Sequence, residues 1–160
     1  MPLRHAADEP TTTGWVAAPA IALMILPLLG RRRFPFAAPA AVWVLAAALS
    51  FVDGRLPVFA VTVFVAGMAA AFLLGNLGDD MQARMGLGIV VAGAAIVTYN
   101  NPASSGGDYV FIPLLFAILW LTGFALRERA AQAQAAEKRA TAAEREREAA
   151  ARIAVAEERA

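Results

Sequence analysis

Residues able to do covalent, acid–base or metal chemistry are scarce in this chain of 160 residues. There is no cysteine, which excludes thiol nucleophiles, disulfides and thiolate metal sites. The single histidine, His5, sits in a polar N-terminal arm without the partner ligands, at the right spacing, that a metal site needs. The carboxylates Asp53, Asp79, Asp80 and Asp108, and the cation Arg84, stand at the ends of apolar runs and never inside one. An ionisable group buried in a membrane span is costly and normally marks an ion or substrate path. None being present, a pump or channel is disfavoured, and no catalytic residue, cofactor-binding residue or metal ligand is expected. The polar side chains nearest the runs are Ser50, Thr62, Asn76, Thr98, Asn100 and Asn101. These suit hydrogen bonds between helices better than substrate binding.

The elements that hold these residues follow from composition. Hydrophobic residues make up 59% of the chain, above the level usual for soluble domains. Charge is unevenly placed: residues 1–125 hold 12 charged side chains and the last 35 residues hold 15. The net charge of +1 therefore describes neither part, and no basic face supports nucleic-acid binding. A cleaved signal peptide fits poorly, because Asp8 and Glu9 accompany Arg4 and a basic triplet follows the first apolar run.

The expected fold class is an all-α membrane protein: about five transmembrane helices, then a long cytoplasmic helix forming a weak coiled coil. A polar arm is expected over 1–13, a transmembrane bundle over 14–126 and a signalling helix over 127–160. The apolar runs fall at about 14–30, 37–53, 56–76, 86–101 and 110–126, several at the short end of what a bilayer requires. Arg31, Arg32 and Arg33 after the first run, and Arg127 and Arg129 after the fifth, set the topology by placing positive charge inside. Five spans satisfy both, with the N-terminus outside and the C-terminus cytoplasmic in a plasma membrane. The loop 102–109 carries no Lys or Arg and falls outside, as does Asp53-Gly54-Arg55; segment 77–85 is expected as an inner loop. Gly67, Ala71 and Gly75 repeat every four residues and would give one helix a smooth packing strip, a weak signal in so Ala-rich a chain.

From Leu126 onward the chain is rich in Ala, Glu, Arg and Gln, with no Gly or Pro, a composition that favours a long solvated helix. Glu144 with Arg147 and Glu148 with Arg152 share faces at spacings that stabilise helices. Ala133, Ala136, Ala140, Ala143, Ala150 and Ala154 follow a heptad rhythm broken at Arg147, and Ala149, Ile153, Ala156 and Ala160 follow it in another register. Alanine seams pair weakly, which suits switching; a single solvated helix fits the composition equally well. The relay is expected to start at Leu126, Arg127 and Arg129 and to run through Ala133 and Ala140 to Ile153.

The run AEREREAAARIAVAEERA, preceded by short apolar runs and a basic first inner loop, resembles the region just upstream of the phosphoacceptor in actinobacterial sensor histidine kinases. These are the kinases paired with NarL/LuxR-type response regulators. The stretch RRRFPFAAPAAVWVLAAALSFVDGRL resembles their membrane part. The resemblance implies the input half of a two-component system, a membrane sensor with a dimeric signalling helix, ending just before the phosphoacceptor helix. No phosphoacceptor histidine, nucleotide box or ATP lid occurs in these 160 residues, so no catalytic residue carries over. The implied partners are a second copy of the chain, the lipid bilayer and, only through a kinase core, a cognate response regulator. A different class remains open: a membrane-anchored scaffold whose tail helix recruits a coiled-coil partner.

Overall fold

A computed structural model describes the backbone of residues 14–55 and 61–158 and the side chains of 18–55 and 61–152. The expected arm 1–13 and the start of the third apolar run, 56–60, lie outside the described residues. All regular structure among the described residues is helical: α1 (Gly14–Ile25), a 3-10 segment (Leu26–Arg32), α2 (Ala37–Ser50), α3 (Val61–Gly75), α4 (Asp80–Asn100) and α5 (Asp108–Glu158). The chain divides into two compact units, Met1–Ala125 and Leu126–Ala160.

Element boundaries differ from the apolar runs for identifiable reasons. The first run does not form one α-helix: beside Pro27, which has no N–H to donate to an α-helical ladder, the chain tightens into the 3-10 segment. Gly30 O then accepts from both Arg33 N–H and Phe34 N–H at 3.0 Å. α2 tolerates Pro39 because it is the third helical residue, where the N–H has no partner within the helix. α4 begins at Asp80, six residues before the expected span. Asp79 is its N-cap, with Oδ1 accepting from Met81 N–H at 2.8 Å and Gln82 N–H at 3.0 Å. The segment expected as an inner loop is therefore helical from Asp80 onward.

Two of these helices, α4 and the apolar part of α5, are long and apolar enough to cross a membrane. α2, at 14 residues, and α3, at 15, are shorter apolar helices. Their described residues rise about 21–23 Å, against a hydrocarbon thickness of about 30 Å.

The core of the first unit is built from small residues and two indoles. Ala70, Ala71 and Leu74 of α3, Val42 and Trp43 of α2, Val90 and Ala94 of α4, and Phe116 and Trp120 of α5 form one buried cluster. The Gly67–Ala71–Gly75 strip lies buried within it. A Cβ placed on Gly75 would run into the Trp120 carbonyl, and one on Gly123 into the Phe72 carbonyl. The α3 and α5 backbones therefore touch with no side chain between them, as small-residue strips permit. Gly93 gives similar room to an indole, its virtual Cβ lying 2.9 Å from Trp43 Cε3. The outward face of α5 is apolar as well: Val110, Phe111, Leu114, Ile118 and Leu121 are all exposed.

Candidate functional site

The residues expected to act fall into separate groups. Arg31, Arg32 and Arg33 are exposed where the 3-10 segment ends, and the Arg33 guanidinium stands 5.9 Å from the Phe34 ring centroid, within cation–π range. In the second unit Leu126, Arg129, Ala133 and Ala140 are exposed, and Arg127 Nη2 pairs with Glu128 Oε1 at 2.9 Å. Ile153 belongs to α5, but its side chain lies outside the described residues. Glu148 and Arg152 approach to 4.0 Å, whereas Glu144 and Arg147 form no ion pair among the described residues. These positions of the second unit are strung along α5. Among the described residues no cluster of His, Cys, Asp or Glu could hold a metal ion.

The polar side chains near the spans do make contacts, chiefly at one end of the first unit. Asn100 Nδ2 donates to Ser50 Oγ at 2.8 Å, joining the C-terminal ends of α2 and α4. The Ser50 hydroxyl in turn donates to Ala47 O at 2.7 Å. Beside them Arg55 N–H donates to Asp53 Oδ1 at 3.0 Å, an Asx turn, and Gly54 packs against the Asn100 carbonyl too closely for a side chain. The following loop is closed at Asp108. Its Oδ2 accepts from Ser105 N–H at 2.7 Å and from the Ser105 hydroxyl at 2.8 Å, tying the loop to the first residue of α5. Those bonds, the backbone one first, hold the Asp108 carboxyl below its ordinary pKa. Thr98 works within its own helix, donating to Ala94 O at 2.8 Å.

The first unit also contains a cavity of about 240 Å³. Val42 and Trp43 of α2, Val63 and Phe64 of α3, Ala94 of α4 and Phe116 of α5 supply its apolar walls. Asn101, Ser104 and Asp108 gather its polar groups at the end where α4 gives way to α5. The aromatic walls meet edge to face: Trp43 and Phe116 centroids are 4.6 Å apart at 83°, and Phe64 and Phe116 are 5.5 Å apart at 63°.

Two tryptophans deep in apolar runs behave differently. Trp120 Nε1–H donates to Ala83 O at 3.0 Å and locks α5 to α4. Trp43 Nε1–H is buried with no acceptor among the described residues. Sequence patterning gave no weight to Trp43 or to the cavity it lines. The available signal was the indole itself, whose N–H needs a partner wherever its ring is buried in an apolar run. No protein-family model, curated protein or solved structure matches this chain.

Proposed function

We propose that this chain is the membrane input region of a two-component sensor histidine kinase. It works as a homodimer and is carried by a multi-pass bundle in the plasma membrane, with the N-terminus outside and the C-terminus in the cytoplasm. Its tail hands a change in span packing to a kinase core, and only through that core to a response regulator. The observation that carries this reading is α5, which begins in an apolar run at Asp108 and continues to Glu158 through the segment resembling the kinase juxtamembrane region. Uninterrupted helix is the element that can convey rotation or tilt; a Gly- or Pro-broken tail would dissipate it. The alanine seams of the tail support a weakly held, switchable pairing.

The test is a fusion of the whole chain to a related kinase core, with residues inserted after Arg129. One inserted residue turns everything downstream by about 100°, whereas seven nearly restore the phase. Phosphorylation output is expected to change several-fold with one residue and to return towards its starting level with seven. Output indifferent to one inserted residue overturns the rigid-relay reading. Capture of a different coiled-coil partner in preference to a second copy would favour a scaffold.

A further inference from the structure

The cavity between α2, α3, α4 and α5 is polarised along its length. Ala94 and Asn101 of its wall stand seven residues apart on α4, and Asp108 and Phe116 eight apart on α5. At 1.5 Å per residue the wall runs about 10–12 Å along the helices. At one end Trp43, Ala94 and Phe116 are buried; at the other Asn101, Ser104 and Asp108 are half-buried and reach solvent. Between them the Thr98 hydroxyl is already donated to Ala94 O. Water is a poor match for the inner part, since a buried water needs two to four hydrogen-bonding partners.

Volume and length agree on the size of a guest. A dry cavity of about 150 Å³ accommodates benzene, so about 240 Å³ filled equally well takes roughly nine or ten carbons. An extended chain of eight carbons is roughly 9–10 Å long, close to the length of the wall. Charge then selects the head. Asp108 is the only charged residue among the described residues of the wall. Both Ser105 bonds fall on its Oδ2, and they keep the carboxyl ionised at neutral pH. α4 ends where α5 begins, so their dipoles oppose each other there and the carboxylate sets the sign of the field.

We propose that this cavity binds a single-chain amphiphile with an ammonium head, the head beside Asp108 and a chain of about eight carbons running inward past Ile112 to Phe116. The site lies within the first unit, so it stands whether or not the chain feeds a kinase.

Three probes of one chain length test this: octylammonium, octanol and octanoate. The full chain is reconstituted in zwitterionic phospholipid nanodiscs with 13C at the isoleucine δ1 methyls, and the Ile112 resonance is assigned by Ile112→Val. Probe concentrations are expressed per lipid after partition into empty nanodiscs is measured. Octylammonium is expected to shift the Ile112 resonance saturably and to bind about threefold to fivefold more tightly than octanol, the reach of a partly exposed charge pair. Octanoate should bind most weakly. Asp108→Asn, which keeps an oxygen for the Ser105 bonds, should make octylammonium and octanol equal. Gly67→Ala is expected to fold, because its new methyl would meet Phe116 Cε1 at 3.5 Å and Trp43 Cζ2 at 3.6 Å, ordinary contacts. It narrows the cavity and should weaken octylammonium several-fold, which decides the matter even if Asp108→Asn does not fold. No saturable shift, octanol or octanoate binding as tightly as octylammonium on the native chain, or indifference to Gly67→Ala overturns the proposal. Tighter binding of 2-phenylethylammonium than of octylammonium also overturns it, and would make the cavity a ring site.

Discussion

Replacing Gly75 with alanine adds one methyl where α3 and α5 touch backbone to backbone. Besides its overlap with the Trp120 carbonyl oxygen, the new Cβ would stand 2.9 Å from Trp120 C and 3.0 Å from Phe124 N. Carbon contacts are comfortable at about 3.5–4.0 Å, so the two helices must part by at least roughly half an ångström in that layer. Backbone atoms cannot rotate out of the way as a side-chain tip can. A gap of that size forfeits a quarter to a half of each dispersion contact. With on the order of 40 carbon pairs at about 0.15 kcal/mol each and a third of that lost, the cost is about 2 kcal/mol, within the range measured for overpacked cores. Gly88→Ala is the internal control. It lies within α4, nothing stands within 4 Å of its added Cβ, and helix propensity alone should stabilise it by about 0.5–1 kcal/mol. The assay is reversible unfolding in mixed micelles titrated with sodium dodecyl sulfate, followed by circular dichroism. The two variants should move the midpoint in opposite directions. A Gly75→Ala protein as stable as Gly88→Ala would refute the close approach of the two helices.

The Ser50–Asn100 hydrogen bond, which ties α2 to α4, should appear as a coupling of about 0.6 kcal/mol in a Ser50→Ala, Asn100→Ala double-mutant cycle; strict additivity of the single substitutions would remove it. Because the Asp108 carboxyl is held below its ordinary pKa, it stabilises the folded loop at pH values above the unfolded value near 4. That contribution is lost as pH falls through the lower folded pKa. The drop in stability between pH 6 and pH 3 should therefore be shallower in Asp108→Asn, and an unchanged pH profile would count against the Ser105 clamp.

What could be read in advance followed from one-dimensional physics. Hydropathy and charge exposed the helical class and the abrupt change of composition near Leu126. The same reasoning missed helix ends that depend on a single side chain. Pro27 breaks the first run, and the Asp79 carboxylate starts α4 six residues early by holding two backbone N–H groups. Polar residues near the spans were expected to bond between helices. Ser50 and Asn100 do so, whereas Thr98 turns back onto its own helix.

The sequence by itself determined that this chain is helical, that it contains no cysteine, and that its charges crowd into the tail, because composition and local propensity act along the chain. Only the tertiary structure decided which small residues became contacts and which indole kept a partner. Gly67, Gly75 and Gly123 look alike in sequence, yet Gly67 borders a cavity while the other two admit neighbouring backbones. Trp43 and Trp120 are likewise both buried, yet the Trp120 N–H reaches Ala83 O and the Trp43 N–H meets no acceptor among the described residues. Those outcomes depend on distances of tenths of an ångström between elements far apart in the chain, which no periodicity encodes.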